Sequence, residues 1–281
     1  MIQFSEYPVI TEEQWQQKIN ALAEIQHDDK ELQQIYRSIL SLVDLTTLEG
    51  SDTAARVSAL CAKACSVENA EKLIPKVAAV CVYPPFVRQC KNELQGKDVN
   101  VASVAGAFPS GQSPLFVKLE EIKYAVEEGA DEIDMVISRG KFLEGDYQVV
   151  FDEIAAIKAV CKTAHLKVIL ETGELKTPEN IRKASEISIL AGGDFIKTST
   201  GKMQPAATEM AAVVMCETIR EYFEKTGIRI GFKPAGGISD AATAVRYYNI
   251  VNSLLGNEWL NKHLFRFGAS RLVDNLLGVI K

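Results

Sequence analysis

A chain of 281 residues, 47% hydrophobic and 24% charged, is long enough for one large α/β domain or two small ones, and too apolar to be disordered throughout. Its net charge of -6 argues against nucleic acid or an anionic membrane as a partner, so any anionic ligand has to be held by a local cluster of donors. No apolar run reaches the length of a membrane helix, "MIQFSEYPVITEEQWQ" has no leader-type apolar stretch, and six cysteines without a Cys-x-x-Cys pair read as reduced thiols of a cytoplasmic protein.

In chain order, residues 1–41 read as an extension of two polar-faced helices, 11–26 and 29–41, with an exposed "HDDKE" between them. After it, short apolar runs alternate with helical stretches. The first strand candidates are "LVDL" (42–45), "VAAVCVY" (77–83), "NVASVAG" (100–106) and "EIDMVI" (132–137). Four more follow at "LKVILET" (166–172), "DFIKTS" (194–199), "IRIGFK" (228–233) and "LFRFGA" (264–269). They are rich in Val and Ile and nearly continuous in hydrophobicity, the mark of parallel strands covered on both faces.

Between them, Val57, Leu60, Cys61 and Ala64, and then Leu115, Leu119, Ile122 and Val126, recur at helical spacing and predict buried stripes. Thr177-Pro178-Glu179 predicts a helix start, and Gly129, Gly192 and Gly227 predict helix ends. Eight strands alternating with helices match a single (β/α)8 TIM barrel over residues 42–281. An open doubly wound sheet is the rival, but the G-x-G-x-x-G that such a sheet normally carries is missing.

In a barrel, chemistry sits at the C-terminal ends of the strands. Asp44 and Thr46 follow the first strand, Asp134 lies in the fourth, Lys197 in the sixth and Lys233 at the end of the seventh. Each alone has an ordinary reading as a loop cap, an ion-pair member or a snorkelling surface group. Together they converge on one pocket. Strands six and seven are neighbours, so two ammoniums should lie close, and their repulsion and burial both disfavour the charged form. Free lysine titrates near about 10.4, and lowering that by ~3 pH units takes roughly 4 kcal/mol. A second cation in a low-dielectric pocket is a source of that size, which points to a nucleophilic, Schiff-base-forming lysine.

The glycine-rich turns "STGK" (199–202), "PAGGIS" (234–239) and "FGAS" (267–270) follow strands six, seven and eight. Such turns are either tight strand–helix connections or anion sites built from backbone N–H groups. Three in succession, one carrying Lys202, favour phosphate. His27, His165 and His263 are isolated, so no metal is indicated, and no fingerprint of an organic cofactor is present.

The segments "LVDLTTLEGSDT", "AAVCVYP", "ADEIDMVI", "LKVILETGELK", "RKASEISILAGGDFIKTSTGK", "IGFKPAGGI" and "RFGAS" resemble the deoxyribose-phosphate aldolase family over roughly residues 40–275. The resemblance implies a class I aldolase that reversibly cleaves 2-deoxy-D-ribose 5-phosphate to D-glyceraldehyde 3-phosphate and acetaldehyde. It implies Lys197 as the Schiff-base lysine, Lys233 as its pKa-lowering neighbour, Asp134 as proton donor and acceptor through water, and Asp44 as a supporting acid. Thr46, Cys81 and Thr200 match the sugar-lining positions, and Gly201, Lys202, Gly236, Gly237 and Ser270 match the phosphate loops. A homodimer is implied as well.

Three departures from the family pattern stand out. Ser239 replaces an arginine common in the seventh loop, Arg271 replaces a small hydroxyl residue in the eighth, and "LLGVIK" lacks the C-terminal tyrosine of many relatives. The first two together read either as a guanidinium moved from one phosphate loop to the next or as an Arg271 that points to solvent. The alternatives are another Schiff-base phosphosugar aldolase or transaldolase, and a non-catalytic phosphosugar-binding barrel, whose signature would be loss of the lysine pair or of Asp134.

Overall fold

The computed structural model describes residues 4, 7–66 and 74–281 of the chain. Two helices come first, α1 (Glu12–Ala23) and α2 (Asp29–Ser41). Each opens with a capping box, Thr11 with Gln14 and Asp28 with Glu31, in which side chain and backbone satisfy each other's free N–H groups. The first of the two predicted helices ends earlier than expected, at Ala23.

The barrel proper runs β1 (Val43–Thr46), α3 (Ala54–Ser66), β2 (Ala79–Val82), α4 (Val87–Glu93), β3 (Asn100–Ala105), α5 (Leu115–Glu127) and β4 (Glu132–Val136). It continues through α6 (Arg139–Leu143), α7 (Tyr147–Cys161), β5 (His165–Ile169), α8 (Thr172–Leu175), α9 (Pro178–Leu190) and β6 (Phe195–Lys197). The last elements are α10 (Glu209–Thr226), β7 (Gly231–Lys233), α11 (Ala241–Leu255), β8 (Phe267–Ala269) and α12 (Leu272–Val279). All neighbouring strands pair in parallel in the order β7-β6-β5-β4-β3-β2-β1-β8. Parallel bridges Phe232–Phe265 and Ala235–Gly268 bring the two edges together and close the cylinder. This is the predicted (β/α)8 barrel.

The strands are shorter than their apolar runs. The run 166–172 pairs only as far as Ile169, because Glu171 takes a left-handed backbone conformation (φ 56°) and turns the chain out of the sheet. The predicted helix stops hold, with Gly129, Gly192 and Gly227 just past α5, α9 and α10. On α5 the buried stripe differs from the predicted one. Lys118, Ile122 and Ala125 face inward while Leu115 is exposed, because Glu153 and Ser138 accept the Lys118 ammonium at 2.7 and 2.8 Å.

The helices α1 and α2 lie outside the barrel, α1 against α10 and α11, and α2 against α11 and α12. Asn249 of α11 fixes the end of α1 by donating to the Ala23 carbonyl at 2.9 Å. The main apolar core fills the space between sheet and helices. Inside the cylinder the packing is divided. Cys81, Ala102, Val104, Val136 and Ile169 form a separate apolar cluster with Leu48 and Phe108 on the β2–β5 side. The opposite side is ionic, where a TIM barrel ordinarily carries layers of branched aliphatics.

Candidate active site

Side chains of a strand alternate between its two faces. Inside this barrel the alternation brings together Asp44 of β1, Glu132 and Asp134 of β4, Lys167 of β5, Lys197 of β6, Lys233 of β7 and Arg266 just before β8. All are buried, Lys197 least so at 3% exposure. Gly268 makes room for the Lys233 stem, since a Cβ there would lie 2.8 Å from the Ala235 Cβ and 3.2 Å from the Lys233 Cε.

The bonds divide into two levels. At the upper level Lys197 Nζ and Lys233 Nζ both donate to Asp134 Oδ2, at 2.8 and 2.7 Å, while Lys167 Nζ donates to Asp134 Oδ1 at 2.9 Å. Lys233 has a second carboxylate in Asp44, and Lys167 a second in Glu132. At the lower level Arg266 spans the barrel, donating to Asp44 and to both oxygens of Glu132, at 2.7 Å to Oε1 and 3.1 Å to Oε2. Lys167, Glu132 and Arg266 were not among the sequence-predicted residues. The signal was present in part, since Lys167 is a charge inside an aliphatic run and Arg266 one between two phenylalanines, while Glu132 follows Asp131 at the edge of its run.

The cluster contains four basic groups, Lys167, Lys197, Lys233 and Arg266, and three acids, Asp44, Glu132 and Asp134. Fully ionised it would bury one positive charge in excess, which a low-dielectric interior resists. Lys197 is the group that yields. Burial is the main force pushing its pKa down, Asp134 opposes that, and the Lys233 ammonium adds to it. Burial also pushes the Lys233 pKa down, but Asp134 and Asp44 outweigh it and raise that pKa. For Lys167 likewise, Asp134 and Glu132 overcome burial and raise the pKa. Asp134 itself, despite its burial, is held well below the ordinary carboxylate range by Lys167, Lys197 and Lys233. The two lysines differ because Lys233 reaches a second carboxylate, Asp44, while Lys197 reaches only the shared Asp134.

Above Lys197 opens a cavity of about 360 Å³ at the C-terminal ends of the strands. Thr46, Lys197, Thr200, Gly201, Lys202, Gly236, Gly237, Ser239, Ser270 and Arg271 all line it. Loops six and seven meet tightly there, with a Cβ on Gly236 falling 2.6 Å from the Ala206 Cβ and 3.0 Å from the Gly201 Cα. Ser239 and Arg271 share the cavity, so the two loop positions that depart from the family resemblance face one space. Asp44, Asp134 and Lys233 lie below the cavity floor, and so does Cys81, a buried thiol whose pKa burial and Asp134 push up to about 11.

Two lining residues are already engaged. The Thr200 hydroxyl donates to Glu171, and Lys202 Nζ pairs with Glu49 Oε1 at 2.9 Å. Among the described residues no group of three or more His, Cys, Asp or Glu is placed to hold a metal ion, and no helix is long and apolar enough to cross a membrane.

Residues 38–247 match the family described as DeoC/LacD family aldolase. The chain is 47% identical to a Homo sapiens deoxyribose-phosphate aldolase over 248 residues, covering 84% of this chain and 78% of the relative. A Mus musculus deoxyribose-phosphate aldolase is 46% identical, with coverage of 84% and 78%. Among solved structures, a candidate deoxyribose-phosphate aldolase from Coccidioides immitis superposes with a TM-score of 0.74 at 29% identity, covering 96% of this chain and 98% of that one.

Proposed function

The chain belongs to the DeoC/LacD aldolase family, and we propose that it is a deoxyribose-phosphate aldolase, reversibly cleaving 2-deoxy-D-ribose 5-phosphate to D-glyceraldehyde 3-phosphate and acetaldehyde through a Schiff base on Lys197. One observation carries the assignment of the nucleophile. Lys197 is the buried lysine that opens on the cavity, and the one in the ion cluster whose pKa is lowered.

The neutral amine adds to the C1 aldehyde, and a proton delivered to the departing hydroxyl through a water beside Asp134 lets it leave as water, giving a protonated imine that draws electrons from the C2–C3 bond. Loss of the C3 hydroxyl proton breaks that bond and releases D-glyceraldehyde 3-phosphate. The remaining enamine takes a proton at C2, and hydrolysis of the imine frees acetaldehyde and Lys197.

Asp134 serves as proton acceptor and donor through a water, with Lys233 beside it and Asp44 holding Lys233. While three ammoniums point at Asp134 it is a weak base. As the C2–C3 bond breaks, the cationic imine on Lys197 becomes an uncharged enamine, and the loss of that charge beside Asp134 raises the carboxylate's proton affinity as the C3 hydroxyl proton leaves. Thr46 and Thr200 border the sugar end, and Cys81 lies buried beneath it. Gly201, Lys202, Gly236, Gly237, Ser239, Ser270 and Arg271 form the phosphate end, whose backbone N–H groups and two cations suit an anion.

The proposal also takes residues 42–281 as the catalytic domain behind a helical extension, 1–41, and the protein as a cytoplasmic homodimer. Exposed Leu115, Phe116 and Val117 at the start of α5 offer an apolar surface for a second copy.

Borohydride reduction in the presence of acetaldehyde, followed by peptide mass mapping, tests the mechanism. An ethyl group is expected on Lys197, and an ethyl group elsewhere overturns the assignment. Cleavage products separate this reaction from that of another phosphosugar aldolase or a transaldolase.

A further inference from the structure

Glu171 is a buried acid that the mechanism does not use. It lies just past β5 with φ 56° and ψ 61°, a left-handed conformation that costs any residue except glycine, and it is 1% exposed. Its carboxylate accepts twice from one residue, the Thr200 N–H at 3.2 Å and the Thr200 hydroxyl at 2.5 Å. The Thr200 oxygen in turn accepts the Lys202 N–H at 3.1 Å. One carboxylate therefore holds both sides of the turn Thr200–Gly201–Lys202. The Gly201 N–H between them is left without a partner among the described residues.

Arg139 faces the charge of Glu171 from the other side and is shared with Glu174, whose carboxylate its Nε meets at 2.5 Å. Arg139 Nη1 donates to Glu171 Oε2 at 3.3 Å, and the same guanidinium donates to the Pro109 and Ser110 carbonyls, each at 3.1 Å. The segment after Glu171 also abuts the far end of this loop, since a Cβ on Gly173 would lie 2.0 Å from the Pro205 oxygen. Neither Glu171 nor Arg139 lines the cavity, although the turn they hold does.

We propose that Glu171, with Arg139 as counter-ion, is a positioning residue for the phosphate end of the cavity, holding the turn Thr200–Gly201–Lys202 in the shape that presents the Gly201 N–H to an anion. The inference rests on the phosphosugar reading above. It gives a sign opposite to that of plain electrostatics. A carboxylate near an anion site repels the anion, so its removal would tighten binding if charge alone mattered. If the turn depends on Glu171, removal weakens binding instead.

The test compares wild type with Glu171→Gln and Glu171→Ala in three measurements: kinetics on 2-deoxyribose 5-phosphate, kinetics on unphosphorylated 2-deoxyribose, and calorimetric titration with inorganic phosphate. Glu171→Ala is expected to raise KM for the phosphorylated sugar roughly 10- to 100-fold, the worth of charged hydrogen bonds, with kcat within about threefold. Phosphate affinity should fall in parallel, kcat/KM on 2-deoxyribose should hold within about threefold, and Glu171→Gln should lie between wild type and alanine.

Tighter phosphate binding, an unchanged KM, or an equal loss on both sugars overturns the proposal. Should Glu171→Ala not fold, the near-isosteric Glu171→Gln decides alone, with a raised KM expected and an unchanged or lowered one contradicting. A wild-type chain that binds phosphate but leaves the phosphosugar intact refutes the reaction, while the phosphate titration still decides Glu171. A wild-type chain that binds no phosphate overturns both.

Discussion

Lys197 and Lys233 are register partners on adjacent strands and donate to one oxygen, Asp134 Oδ2, at 2.8 and 2.7 Å. What separates them is Asp44, which Lys233 reaches and Lys197 does not. One ammonium is stabilised by this arrangement and the other unsettled.

Replacing Lys233 by Met removes the cation beside Lys197 and returns a larger share of Asp134 to it, while Asp44 keeps Arg266. The Lys197 pKa should then rise. The acid limb of the kcat/KM profile should move to higher pH, and turnover at neutral pH should fall about 100-fold or more. A limb that stays in place would remove Lys233 from this role.

Glu132→Gln strips Arg266 and Lys167 of a shared carboxylate without touching Lys197. Leaving buried cations uncompensated should cost on the order of 3–5 kcal/mol, read by urea unfolding. The pH dependence has a definite sign. Despite their burial, Asp44, Glu132 and Asp134 are all held below their ordinary values by the surrounding lysines and Arg266. As the pH falls below about 4.5, the unfolded chain takes up protons that the native one refuses. The stability these acids supply is complete above that range and is lost as the pH descends through their native values. The slope should be shallower in Glu132→Gln, and an identical slope would exclude Glu132 as a contributor.

Arg271 borders the cavity together with Ser239, the position where the family resemblance leads one to expect arginine. If the guanidinium has changed loops, Arg271→Ala should raise KM for the phosphorylated sugar about tenfold or more, and leave unphosphorylated 2-deoxyribose unaffected. An unchanged KM for the phosphorylated sugar would falsify the exchange.

Lys202 is paired across the mouth with Glu49, whose side chain is 55% exposed. Freeing it by Glu49→Gln should lower KM for the phosphosugar by roughly two- to fivefold at low ionic strength, the scale of an exposed pair. The gain should shrink as salt screens the mouth. A KM that is unchanged, or that shifts equally in high salt, would show that the pair does not compete with substrate.

The fold was legible because eight apolar runs, punctuated by caps such as Thr177 and stops such as Gly227, leave few other arrangements. Lys197, Lys233 and Asp134 were legible for a different reason, as charges set in aliphatic surroundings near strand ends. Lys167 and Arg266 carry the same mark but sit deeper, and depth along a strand is fixed by register, which one run of residues does not encode. Lys118 was hidden because its partner Glu153 lies 35 positions away. Glu171 was read as part of a strand. Nothing in "ETGELK" announces a left-handed glutamate, since the conformation is imposed by the loop packed over it.

The ionic half of the barrel interior has a consequence for timing. Its side chains leave water when the chain folds, not when the sugar enters. On the proposed Schiff-base mechanism, a substrate meets oriented charges that need little rearrangement as the imine forms, and the bond-breaking step is spared most of the reorganisation that solvent would demand. Transplanting Lys197 alone into another cylinder would carry over the amine without the surroundings that keep it reactive.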